Sequence, residues 1–163
     1  MPDEKITTYI TPEIKTQIGV EKDMIRSSPV SESDIRKWAI AVYWPETPPK
    51  LFWDQDHAKS TKWKGIIAPQ EFNPFGWPAE RPKQRLSAMG TGKAGTRILN
   101  GGLDIEHLKP IRPGDIITSR SKLAEVFERE GRLGLMMFQV TQTDWTNQKN
   151  ELVRRSKMTL IFY

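Results

Sequence analysis

The chain has 163 residues, 37% hydrophobic and 28% charged, a balance that fits one globular domain (residues 1–163) with a substantial core. It has no cysteine, which excludes disulfides and thiolate chemistry, and no window approaches the ~18 apolar residues of a membrane span. Net charge is +5, unevenly spread: Lys59 to Arg97 holds eight basic residues against two acidic ones, so the rest of the chain is close to neutral. A local positive stretch of this kind is either a solvated face or the mark of an anionic partner. The polar start Met1-Pro2-Asp3-Glu4-Lys5 has no apolar run behind it, which speaks against a signal peptide and, with the absence of cysteine, for a cytoplasmic protein.

Ile10, Ile14 and Ile18 have helical spacing, and Pro12 suits the first turn of a short helix there. Val20 to Ile25 reads as a short first strand. The clearest helix begins at Ser31, which is placed to cap the N–H of Asp34, while Val30 and Ile35 form a hydrophobic staple. Ile35, Trp38, Ala39 and Val42 then make one apolar stripe, and Pro45 ends the helix near Tyr43. Residues 45–54 are Pro-rich loop, and 54–60 have room for one or two helical turns. The stretch 63–69 is apolar and ends at a proline, and Pro74 and Pro78 break the segment that follows. Residues 79–96 are a polar, basic, glycine-rich loop.

The last third alternates apolar and polar residues with a period of two, the mark of half-buried strands. Such runs cover Leu103–Leu108, Ile116–Phe127, Leu133–Trp145 and Leu152–Phe162. Pro110-Ile111-Arg112-Pro113-Gly114-Asp115 makes a corner between the first two, because two prolines and a glycine fit neither a helix nor a central strand. The expectation is an α+β domain built on a four-stranded antiparallel meander.

Several motifs are weighed for chemistry. Gly90-Thr91-Gly92-Lys93-Ala94-Gly95 matches G-x-G-x-x-G but lacks the preceding strand and following helix of a dinucleotide site. His57 and His107 are the only histidines, too few for a zinc site, so no metal is expected. His107 reads as a strand residue, and His57 as part of an exposed polar patch. Glu46, Asp54 and Asp56 cluster after the helix and are candidate general bases. Trp53, Trp63, Phe72, Phe75 and Trp77 interleave with basic residues, yet no recognition helix, zinc finger or RNA-binding signature accompanies them, so nucleic acid is not the expected partner.

Three pieces stand in order: Gly65-Ile66-Ile67-Ala68-Pro69, then Leu108-Lys109-Pro110-Ile111-Arg112-Pro113-Gly114-Asp115, then Thr146-Asn147-Gln148 before Glu151-Leu152-Val153. Together they resemble the MaoC-like dehydratase N-terminal type, a hot-dog domain also named after the dehydratase of type I fatty acid synthase. The resemblance runs from about Val30 to Phe162. It implies an antiparallel sheet wrapped around a helix, here shortened by Pro74 and Pro78, and pairing with a second hot-dog unit. It implies action on acyl thioesters of CoA or acyl carrier protein: hydration of a 2-enoyl group, or the reverse dehydration, with no further cofactor.

Catalytic members of that family carry an Asp and a His in a loop resembling Asp-x-Asn-Pro-x-His-x-Asp. Here the matching positions put Phe52 where the histidine belongs and Thr47, beside Glu46, near the aspartate. Phenylalanine cannot shuttle a proton, so the resemblance points to a non-catalytic half that shapes the acyl pocket, with Trp53, Phe72, Phe75 and Trp77 as pocket residues. Arg81, Lys83, Arg85 and Lys93 are the candidates for CoA phosphates or an acidic carrier. Two alternatives stand: a self-sufficient homodimer using Glu46, Asp54 or His57 in a hydratase or thioesterase role, and an acyl-CoA-binding module without turnover.

Overall fold

In a computed structural model describing residues 8–76 and 95–163, the chain forms an α+β fold around one antiparallel sheet. The elements in order are helix α1 (Pro12–Gln17), strand β1 (Glu21–Arg26), helix α2 (Glu32–Tyr43), a 3-10 turn (Lys50–Phe52), helix α3 (Gln55–Ser60), and strands β2 (Ile98–His107), β3 (Thr118–Gly131), β4 (Gly134–Thr146) and β5 (Leu152–Phe162). The strands lie side by side as β1-β3-β4-β5-β2. This corrects the expected meander. β2 pairs with β5, not with β3, so the proline corner carries the chain from one sheet edge to the far side of the hairpin.

Strand β2 also begins earlier than its alternation predicts, because it passes through Gly101 and Gly102 at a bulge. A Cβ on Gly101 would lie 2.9 Å from Thr159 Cγ2, so the missing side chain is what lets β2 close against β5.

Helix α2 starts as its sequence requires. Ser31 Oγ accepts the Asp34 N–H at 3.0 Å, and Val30 and Ile35 are both buried. Ile35 and Ala39 face the core and Trp38 packs against it. Val42 does not: it is exposed, together with Ile40 and Tyr43. The core gathers at one end of the sheet, where α2, α3 and the segment 66–72 meet Ile111, Ile117 and Val153.

The three pieces that carried the resemblance converge there. The Ala68 N–H donates to the Ile111 carbonyl at 2.8 Å. Asp115 accepts the Arg112 N–H at 2.8 Å and the Gln148 amide at 3.1 Å, and Gln148 in turn accepts the Ile116 N–H at 3.0 Å. Gly114, with φ +86°, takes the left-handed turn that an L side chain would strain. Its N–H reaches the Val30 carbonyl at 2.8 Å, while the Val30 N–H reaches the Asp115 carbonyl at 2.9 Å, which fixes the start of α2 to the corner.

Candidate functional site

Phe52 is buried at the core edge, with its ring centroid 6.0 Å from that of Tyr43. The three fallback acid/base residues do not converge on it. Glu46 and His57 are exposed. The Asp54 side chain is engaged as the N-cap of α3, accepting the His57 N–H at 3.0 Å. Of the proposed pocket aromatics, Phe72 is buried and meets Trp38 edge-on at 5.6 Å, and Phe75 meets Trp145 edge-on at 5.3 Å. Trp53 stands apart, exposed, with Nε1 donating to the Pro48 carbonyl at 2.9 Å. Trp77, Arg81, Lys83, Arg85 and Lys93 lie outside the described residues, as does most of the glycine motif.

One side-chain arrangement missed by sequence reasoning is a row across four strands. Register places Ser119 opposite Trp145, Trp145 opposite Arg154, and Arg154 opposite His107. Directly opposed residues share a face, so these four side chains stand together on the side of the sheet that meets the core. Beside them lies a cavity of about 130 Å³, walled by Trp63, Pro69 and Pro110 as well as His107, Trp145 and Arg154. The Arg154 guanidinium carbon lies 4.5 Å from the centre of the Trp145 ring. Its Nε is buried without a hydrogen-bond partner.

Burial pushes His107 below the ordinary histidine value, the Arg154 charge pushes the same way, and Glu71 opposes them. The neutral imidazole is therefore the favoured form in the fold, and protonation on acidification costs stability. Burial likewise lowers Arg154, against the pull of Glu71, but a guanidinium stays cationic. The signal that would have found this row is strand register, which the topology sets and the linear sequence does not print.

The model of the family described as "FAS1-like, dehydratase domain region" matches residues 16–156. The chain belongs to this family. No curated protein sequence matches. Among solved structures, a MaoC-like dehydratase from Rhodospirillum rubrum is 18% identical, with a TM-score of 0.57, over 86% of this chain and 90% of that one. The ChsH1-ChsH2 complex of Mycobacterium tuberculosis is similar at 16% identity and TM-score 0.64, over 88% of each chain. The HadBC 3R-hydroxyacyl-ACP dehydratase complex of the same organism is similar at 22% identity and TM-score 0.58, over 89% of this chain and 96% of that one. The fold is thus that of the MaoC-like, hot-dog dehydratases. Residues 70–76, the described part of the segment in which Pro74 and Pro78 were expected to shorten the central helix, hold turns and no helix, and Pro78 lies outside the described residues.

Proposed function

We propose that this chain is the pocket-forming, non-catalytic half of a heteromeric (R)-specific 2-enoyl-thioester hydratase, or 3-hydroxyacyl-thioester dehydratase. Its partner is a second hot-dog subunit that supplies the Asp/His pair. The observation that carries this reading is Phe52: an apolar, buried ring stands where the resemblance calls for the proton-transferring histidine. Glu46, Asp54 and His57 offer no replacement, because two are exposed and the third is spent on a helix cap. Hydration adds hydroxyl at C3 and a proton at C2 of the enoyl group, and both steps need a group that moves protons beside the substrate. In this account those groups belong to the partner, and this chain contributes apolar wall.

Two solved relatives in fold are themselves two-protein complexes, which supports a partner of the same kind. Strand β2 supports it as well. Among the described residues it is a sheet edge that no further strand joins, and Leu99, Leu103 and Ile105 on it are exposed. An edge of this length and apolarity is ordinarily paired or covered. The test is hydration of crotonyl-CoA and longer 2-enoyl-CoA esters, followed by loss of absorbance of the conjugated thioester. The chain alone is expected to be inactive and the chain with a co-encoded hot-dog protein active. Full activity alone would refute the reading in favour of a self-sufficient homodimer. Tight acyl-CoA binding with no turnover in either setting would favour a binding module.

A further inference from the structure

The cavity beside the Trp145–Arg154–His107 row carries more than apolar lining. Arg154 has no hydrogen bond or ion pair with any described residue, although its Nε is shielded from water. Its neighbour one position on, Arg155, shows what a satisfied arginine on this strand looks like: both Nε and Nη2 reach Asp144 at 2.8 Å on the opposite face. A buried donor left without an acceptor is costly, and a guanidinium more so than a neutral group. Lys109, also on the cavity wall, is turned toward Glu151, with Nζ 3.8 Å from Oε1. Glu71, which is exposed, is the carboxylate whose field reaches both His107 and Arg154, but it is not within ion-pair distance of Arg154.

The walls are held before any ligand arrives. Arg112 Nη2 donates to the Trp63 carbonyl at 2.7 Å, and Lys62 Nζ sits 4.8 Å from the Trp63 ring centre. The Trp145 ring is gripped between Arg154 on one side and the edge-on Phe75 on another. Preformed walls, apolar but for Gln70, His107 and Lys109, around a guanidinium without a partner among the described residues are the makings of a small-molecule site.

We propose that this cavity is a carboxylate-binding subsite, in which Arg154 receives the carboxylate and the indoles of Trp63 and Trp145, with Pro69 and Pro110, enclose a short apolar body. A planar guanidinium matches a carboxylate with two parallel hydrogen bonds, and the Trp145 ring, 4.5 Å from the guanidinium carbon, holds the group at the cavity. A phosphate dianion is a poorer fit, because Lys109, the other cation on the wall, is turned toward Glu151 and leaves one arginine to meet the dianion's charge. The volume, about 130 Å³, is close to the roughly 150 Å³ of a cavity that holds a benzene ring, so the body has about five to seven heavy atoms. The carboxylate has two possible sources: a free short organic acid, or the far end of an acyl chain carried as a thioester. The second source rests on the function proposed above; the subsite itself does not.

The test uses the full chain, free and with its partner, and two pairs of probes: benzoate with benzamide, and pentanoate with pentanamide. Tryptophan fluorescence reads binding. Each acid is expected to bind at least about tenfold more tightly than its amide, the measure of one charge-assisted hydrogen bond. Arg154→Gln is expected to remove that preference. Equal binding of acid and amide, no binding of either acid, or a preference that survives in R154Q would each overturn the proposal. If R154Q does not fold, ¹⁵N NMR of the parent chain decides: benzoate must shift the Arg154 Nε–H resonance and benzamide must leave it in place. A static Arg154 resonance overturns the proposal. Displacement of benzoate by glutaryl-CoA, about tenfold more effective than by pentanoyl-CoA, assigns the carboxylate to the acyl chain. Benzoate binding that neither ester displaces keeps the subsite and rejects its link to the thioester reaction.

Discussion

Asp115 offers the sharpest test of how the corner holds the fold together. It is buried at 8% exposure, and its carboxylate accepts the Arg112 N–H at 2.8 Å and the Gln148 amide at 3.1 Å. Asp115→Ala removes both acceptors, strands a half-buried N–H at Arg112, and frees Gln148 from the loop it bridges. A hydrogen bond to a charged acceptor contributes about 1.5–3 kcal/mol, and the bond from exposed Gln148 less, since water replaces it. The expected loss is about 2–4 kcal/mol, which in a chain of this size lowers Tm by about 5–15 °C. Asp115→Asn keeps one oxygen for Arg112 but sets its NH₂ against the NH₂ of Gln148, so it should cost about half as much. Gln148 cannot turn its amide over to help, because its oxygen is held by the Ile116 N–H at 3.0 Å. Thermal unfolding by circular dichroism and urea titration measure both variants. A D115A protein within about 0.5 kcal/mol of the parent would refute the account of the corner.

Ile117 is fully buried, so Ile117→Ala should cost about 2–5 kcal/mol, read as a fall in the urea midpoint at constant slope. The Arg155 hydrogen bonds hold Asp144 below the ordinary aspartate value, with burial opposing them. The pair's stabilisation is therefore complete above the unfolded aspartate value and is lost as pH falls through the lowered native one. Both side chains are more than a quarter exposed, so Arg155→Leu should cost only about 0.5–1 kcal/mol at neutral pH and nothing in strong acid. Urea titrations that stayed parallel for parent and variant across that range would contradict this. Replacing Leu103 and Ile105 together by Lys should abolish association through β2, seen as a smaller mass by sedimentation, because charge on a strand edge opposes pairing. An unchanged complex would place the partner elsewhere.

What the sequence carried was local. The Ser31 cap, the Val30–Ile35 staple and the last strand, Leu152–Phe162, are legible because capping chemistry and period-two alternation act over a few residues. The order of strands was not legible. Nothing in Leu103–His107 says that it pairs with Leu152–Phe162 instead of Thr118–Gly131, because that choice is made by long-range closure around the corner. The start of β2 was hidden for a different reason: Gly101 and Gly102 look like a turn in one dimension, whereas Gly101 serves close approach to Thr159 and Gly102 takes φ +138° at the bulge. The same gap hid the cavity. His107 looks like an ordinary strand histidine until register sets it beside Arg154, and Arg154 until burial leaves its Nε without an acceptor. The expectation at Phe52, by contrast, needs no register: it compares one position with a short motif that the resemblance implies.

The central claim is that proton transfer belongs to the partner. The direct measurement is kcat for 2-enoyl-CoA hydration by the assembled complex, with single substitutions made in each half. Glu46→Gln, Asp54→Asn and His57→Gln in this chain should each leave kcat within about twofold, while replacing the partner's motif histidine should lower it at least about a hundredfold, the usual worth of a general acid or base. A hundredfold loss from any of the three substitutions in this chain, with the partner's histidine dispensable, would contradict the account.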